Sequence, residues 1–277
     1  MLLPQDCLST ILSLTSPPDV CRSSTVSTAF RFAAESDLVW EKLLPCDYLD
    51  IISRADDRAL KLVSKKELFL CFCGSVSIDG GSKIFTLDKS SGLKSYVLAP
   101  RELSIAWSKV PMYWTWRSLP KSRFAEVAEL GYTHWLEIHG KIKTQMLSPN
   151  KTYTAVLIFS FLDRSYGLDT MPMVASIELN DQVFTTKVFL SQNHCKKTQM
   201  QDDRVHSDGT QTLVSTRQGI QGEVKMPNMR NDGWVEIELG EFFSGEDNRE
   251  VKMSLLEITG CHLKGGLIIE GLQVRPV

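Results

Sequence analysis

The hydrophobic pattern changes its period near residue 75. Before that point apolar positions recur at helical spacing. Leu8, Ile11 and Leu12 follow Pro4 and Asp6, which suit a helix start. Ser16-Pro17-Pro18-Asp19 restarts a helix: Ser16 can cap it, Pro17 fits the first helical position, and Asp19 lies at the positive end of the dipole. Val26, Ala29, Phe30 and Ala33 form another apolar stripe. Asp37 is placed to cap a piece carrying Val39, Trp40, Leu43 and Leu44, which Pro45 closes, and 67–73 is a last helical stretch.

Beyond residue 75 the period is two. Residues 83–88 and 93–98 flank Lys89-Ser90-Ser91-Gly92 and predict a hairpin. Stretches 135–139, 153–161, 173–179, 233–239, 250–258 and 267–274 alternate as half-buried strands do. Many short strands with turns between them predict an all-β sandwich or jelly roll. The fold class is therefore α+β by separate domains, small helices first and the sandwich second. Residues from about Thr198 to Asn231 are polar and aperiodic, and predict a long mobile loop.

Composition narrows the picture. The chain has 277 residues, 43% of them hydrophobic, enough for a substantial core. A formal net charge of −2 gives no global attraction to nucleic acid or an anionic membrane. No run approaches the ~20 apolar residues of a membrane span. No signal peptide is expected either, since a basic first segment is missing and Asp6 interrupts the apolar stretch. The seven cysteines are odd in number and irregularly spaced, which predicts buried, reduced thiols. Cys71 and Cys73 have no second pair at ligand spacing, so no metal or other cofactor is expected.

Catalytic patterns are missing. There is no nucleophile elbow and no P-loop. His134 and His139 lie five apart across an expected strand and cannot form a helical metal site. His194, His206, His262, Asp202 and Asp203 have no partner at a known spacing. The feature that stands out is aromatic. Three of the six tryptophans, Trp107, Trp114 and Trp116, fall in 106–120, with Tyr113 among them. Trp114 and Trp116 share one face of a strand, which suits either a core or a platform for the apolar face of a sugar. Trp135 and Trp234 each open an alternating strand and are expected to pack the sandwich.

Two resemblances add to this reading. Leu3-Pro4-Gln5-Asp6-Cys7-Leu8, Ile11-Leu12, residues 16–22, Val26-Ser27, Phe30-Arg31 and Leu38-Val39-Trp40 together resemble an F-box. The resemblance implies an F-box over 1–48, followed by a helical linker over 49–80. It implies docking on the Skp adaptor, and through it on the cullin of an SCF complex, by Leu3, Pro4, Leu8, Ile11, Leu12 and Val26, with Trp40 as a core anchor. The second resemblance runs from Gly81 to Pro276, on Tyr96, 101–105, Trp107, 113–116, 127–130, 135–142, 230–234, 239–243, 265–269 and Arg275-Pro276. These residues are similar to the phloem protein 2, or Nictaba-like, lectins, which implies a lectin-like sandwich over 81–277. It also implies a carbohydrate site at Trp107, Trp114, Glu250 and Glu257, for glycans or glycoproteins bearing N-acetylglucosamine or galactose.

Two positions depart from that pattern. Leu263-Lys264 stands where relatives often carry Trp-Lys, and the basic run of a nuclear relative is reduced to Lys196-Lys197. The expected role is a non-catalytic substrate-recognition subunit of an SCF-type ubiquitin ligase in cytoplasm and nucleus, with no nucleic-acid or membrane partner. The alternatives are an F-box protein whose sandwich binds protein without sugar, and a lectin uncoupled from ubiquitination.

Overall fold

The computed structural model describes residues 4–191 and 224–277. Helices fill the first part: α1 (Gln5–Leu12), α2 (Pro17–Ser23), α3 (Thr28–Ala34), α4 (Asp37–Leu43), α5 (Tyr48–Arg54) and α6 (Lys65–Phe72), with a 3-10 turn at Arg58–Lys61. Their ends follow local chemistry. The Ser16 side chain accepts from the Asp19 N–H at the start of α2, and Ser27 accepts from Phe30 at the start of α3. Ser64 and Glu67 form a reciprocal capping box on α6. The cap of α4 is Ser36 rather than Asp37. Asp37 instead accepts the backbone N–H of Lys65 at 3.1 Å, joining α4 to α6. Trp40 is buried as the anchor of this module: its indole N–H donates to Ala34 O at 2.7 Å, and its ring lies 5.3 Å from that of Phe69.

Two antiparallel sheets follow. The first orders β1 (Val76–Ile78), β2 (Lys83–Leu87), β3 (Lys94–Leu98), β15 (Gly265–Pro276), β8 (Thr152–Tyr166), β13 (Val235–Phe243) and β12 (Asn228–Met229). Farther along β15 it also takes in β6 (Val127–Leu130), on which β5 (Trp114–Arg117) pairs. The second sheet orders β11 (Val224–Lys225), β10 (Gln182–Val188), β9 (Met173–Leu179), β14 (Glu250–Glu257), β7 (Leu136–Lys143) and β4 (Ser104–Ile105). The only parallel pair among the described strands is β10 with β11. The sheets pack closely. A Cβ on Gly140 of β7 would sit 2.8 Å from Leu272 of β15, and one on Gly240, at the bulge of β13, 2.7 Å from Ile177 of β9.

Helices and sandwich share one hydrophobic core, continuous from Leu8 through Phe72 and Phe85 to Val274. Phe72 of α6 meets Phe85 of β2 edge-on at 5.1 Å, and Phe85 meets Tyr96 of β3 at 5.3 Å. Polar contacts cross the same junction. Arg54 pairs with Asp79 at 2.8 Å, Asp47 with Lys94 at 3.0 Å, and Asp56 accepts from Ser77, Gly80 and Gly81. Residues 49–80 thus form α5, the 3-10 turn, α6 and the first strand of the sheet, all packed.

Three expectations change here. The cysteines are not a buried set: Cys7, Cys21, Cys46, Cys71 and Cys261 are exposed. On α1, α2 and α6 the apolar neighbours of Cys7, Cys21 and Cys71 turn inward and leave the thiols outward. Cys73 is half-buried, and burial pushes its thiol up to about 11. Most of the expected loop at 198–231 lies outside the described residues, as do Cys195, Lys196-Lys197, His194, Asp202, Asp203 and His206. Its last part is not loop throughout, because β11 and β12 form there. Trp234 packs the sandwich as expected, but Trp135 is 41% exposed.

Candidate functional site

The aromatic segment between β4 and β6 folds into a turn and a short strand. Trp107 heads the turn with φ at 63°, a left-handed conformation that a bulky residue adopts only under strain. The strain is held by hydrogen bonds on both sides. Val110 N–H donates to Trp107 O at 2.9 Å, and Ala106 N–H to Glu137 O at 3.0 Å. Beneath, the Trp114 indole donates to Ala106 O at 3.1 Å and the Trp116 indole to Ser108 O at 3.0 Å. The result is an outward Trp107 ring, 56% exposed. It overlooks an open groove of about 740 Å³ lined by Arg101, Ser104, Lys109, Trp114 and Trp116, among others. The Arg101 guanidinium lies over the Trp116 ring at 3.6 Å and also pairs with Glu126. Tyr113 lies 6.1 Å from Trp107 and 5.8 Å from Tyr132, which extends the aromatic surface.

The four expected sugar contacts are not brought together. Trp107 is exposed, but Trp114 is 2% exposed and braces the turn from below. As a buried strut it cannot offer a free stacking face. Glu257 is also removed from the surface. Its carboxylate forms an ion pair with Lys264, their side chains 2% and 1% exposed, and accepts from Thr259. Burial raises its pKa and the hydrogen bonds from Lys264 and Thr259 lower it, the net shift being downward, so the carboxylate stays ionised. Lys264 also donates to His134 O at 3.0 Å and His262 O at 2.8 Å. The pair therefore ties down two loops. Glu250 is exposed and bonded to Lys141 at 2.7 Å, at the other end of β14. Seven residues of strand, roughly 23 Å, separate it from Glu257, so one sugar cannot touch both.

The helical module presents a second surface. Leu8 and Leu12 are buried in its core, so they hold α1 in place and leave no face for a partner. Pro4, Ile11 and Val26 are exposed, Val26 by 70%. Leu14, Phe32 and Leu38 are exposed as well, and of these the sequence pattern singled out Leu38 alone, as part of the F-box resemblance. Leu3 lies outside the described residues.

The helical start and the sandwich each match a known family. The F-box-like family model covers residues 1–45, and the phloem protein 2 family model covers 93–276. The chain belongs to the phloem protein 2 family of F-box proteins. It is 46% identical to F-box protein PP2-B15 of Arabidopsis thaliana, over 100% of this chain and 96% of that protein. It is 44% identical to F-box protein VBF of the same plant, over 100% and 99%. Among solved structures, a family 35 carbohydrate binding module from Clostridium thermocellum aligns at 8% identity. That match covers 66% of this chain and 98% of the module with a TM-score of 0.34, too slight a likeness to bear on function.

Within this phloem protein 2 domain, the sequence pattern missed a group on the outer face of the second sheet. The Trp135 indole donates to Glu137 Oε2 at 2.8 Å, Glu137 Oε1 lies 2.8 Å from His139 Nε2, and His139 Nδ1 lies 2.6 Å from Ser254 Oγ. The bond with His139, then that from Trp135, holds the Glu137 carboxyl below its ordinary range. The signal was available: Glu137 and His139 alternate with buried Leu136 and Ile138, so both face out. His134, five residues before His139, lies in the loop before β7 and takes no part in the group.

Proposed function

We propose that this chain is the substrate-recognition subunit of an SCF-type ubiquitin ligase. Its F-box helices engage the Skp adaptor, and through it the cullin, by an apolar surface around Ile11, Leu14 and Val26. Its sandwich selects a target, by a glycan bearing N-acetylglucosamine or galactose, at the Trp107 groove. The ligation chemistry belongs to other subunits, and this chain supplies proximity, converting a rare encounter into a held one. Such a receptor would serve in cytoplasm and nucleus.

The observation that supports this reading is that the Trp107 turn and the helical module meet opposite ends of β7 and β14. The Trp107 turn leaves the sheet beside the end where Leu136 pairs with Glu257. At the other end of those strands, Glu250 pairs with Lys143, and Asp47 and Asp50 of the helical module face Lys143, Gln145 and Gly245 across a cleft. Target and adaptor can then be held at once.

Two measurements test it. Ile11→Glu with Val26→Glu should abolish co-purification with a Skp adaptor while the thermal melt is unchanged. A glycan array on the full chain should give saccharide signals that Trp107→Ala removes. Binding to the adaptor through the doubly charged surface would overturn the first half. An array silent for the wild type would overturn the second. Burial of Trp114 and Glu257 favours a second reading for the sandwich, a protein-binding surface centred on Trp107, which a silent array would support.

A further inference from the structure

We infer that the outer face of the second sheet, at Trp135, Glu137 and His139, is a second carbohydrate subsite that stacks a neutral sugar ring on the Trp135 indole. The inference rests on the reading of the sandwich as a lectin and places a contact outside the Trp107 groove.

Trp135 is exposed yet fixed from every side. Its backbone N–H donates to the Thr133 hydroxyl oxygen at 3.0 Å, and that hydroxyl donates to the Trp135 carbonyl at 2.9 Å. Thr133 is itself buried and pairs in both directions with Lys264, N–H to carbonyl, at 2.8 Å. Lys264 completes the buried ion pair with Glu257 and holds the carbonyl of His134, the residue before Trp135. The indole N–H is bound to Glu137. An exposed ring with its backbone, neighbour and N–H all pinned loses little freedom when a ligand stacks on it, which is what a preorganised platform requires.

The chemistry around the ring selects the ligand. The strand registers set Ser104, His139, Ser254, Ser176 and Thr185 in one row across five strands. Both nitrogens of His139 are engaged, one by Glu137 and the other by Ser254. Glu137, a third exposed, keeps acceptor capacity beyond its two present donors. The surface is therefore rich in acceptors and suits hydroxyl donors. Lys141 is matched by Glu250 at 2.7 Å and Lys252 by Glu178 at 3.7 Å. The group bonded to the indole is the Glu137 carboxylate, which repels an anion, whereas an uncharged polyol with an apolar C–H face meets both the indole and the acceptors. Because Ala106 donates to Glu137 O, the chain runs from this face directly into Trp107. One oligosaccharide can thus engage the groove with one unit and Trp135 with another.

The test uses the full chain and mono- and tetrasaccharides of N-acetylglucosamine and of galactose, titrated by calorimetry. The wild type should bind a tetrasaccharide at least tenfold more tightly than the monosaccharide. Trp135→Ala should lose that gain and keep the monosaccharide affinity, and Trp135→Phe should recover part of it. The Trp135 indole N–H resonance of the wild type should move with the tetrasaccharide and not with the monosaccharide, a readout that needs no variant to fold. A static resonance, or a Trp135→Ala protein with the full gain, overturns the subsite while Trp107-dependent binding leaves the lectin reading standing. No saccharide bound by the wild type overturns both.

Discussion

At the scale of single residues, the structure separates what looks alike in sequence. Glu250 and Glu257 are both strand acids, yet they fall on opposite faces of β14, Glu257 on the face of buried Val251, Met253 and Leu255. What the sequence hides is its partner: a β-bridge to Thr133 brings Lys264, seven residues beyond Glu257, to the buried carboxylate. Nothing local in the sequence announces a pair formed across a loop. The pair makes a sharp prediction. Lys264→Met should destabilise the protein by about 3–5 kcal/mol, since it leaves an ionised carboxylate buried without a partner. Adding Glu257→Gln should return most of that loss, and urea denaturation of the two variants checks it. Equal instability of the single and double variants would mean that the pair is dispensable. Trp107 makes the opposite case. Trp107→Gly relieves left-handed strain of about 1 kcal/mol, offsetting the contacts of a half-exposed ring. The denaturation midpoint should therefore not fall while saccharide binding is lost.

At the scale of elements, periodicity was a good guide where one face of an element is buried. The hairpin of β2 and β3 and the strands β7, β9, β13 and β14 fall where alternation places them. Within β13 the apolar face Val235, Ile237 and Leu239 is buried as the pattern requires. Burial of Trp135 was not what the alternation required. Trp135 precedes β7 by one residue and shares the outward face of Glu137 and His139, and a Thr133 hydrogen-bonded turn holds it there. Cys7, Cys21 and Cys71 sit among apolar residues but on the outward side of short helices, and Cys46 and Cys261 lie in connections between elements. Leu8 and Leu12 of α1 carried a helical stripe in the sequence. The resemblance to an F-box could not say which members of the stripe face the core and which face a partner. Capping, by contrast, is local and was legible. Ser64→Ala breaks the capping box of α6 and should cost about 1 kcal/mol, measured as a lower urea midpoint with an unchanged slope.

At the scale of the whole molecule, two domains in sequence become one cooperative body. The change of period near residue 75 marks a change of secondary structure, not a break in the core, because Phe72 and Phe85 close the junction. Charge strengthens it. Asp79 begins the sandwich side and takes Arg54 of α5 at 2.8 Å and Lys83 at 3.1 Å. The hydrogen bond from Arg54 is the largest influence, and it holds the Asp79 carboxyl at about 2 against its ordinary 3.8. A carboxyl lowered on folding contributes stability above its unfolded pKa and loses it as pH falls through the folded value. The junction should therefore be at full strength above pH 3.8 and weaken towards pH 2. The loss for this one group is about 1 kcal/mol after allowance for solvent screening. Asp79→Asn should flatten that part of the acid profile and leave the rest unchanged.

Cooperativity is the stronger consequence. If the core is shared, the helices cannot melt while the sandwich stays native, and every probe must report one transition. Phe85→Ala removes a ring packed on both sides of the junction and should cost about 3–5 kcal/mol. Helical ellipticity and the fluorescence of buried Trp234 should shift together by the same number of degrees. Two separated transitions, with only the helical one displaced, would show that the helices ride on the sandwich as an independent unit. A single displaced transition would mean that the geometry between the F-box helices and the sandwich is fixed by the fold itself. In the receptor role proposed above, a target would then be presented at one set distance, without a flexible linker to search for it.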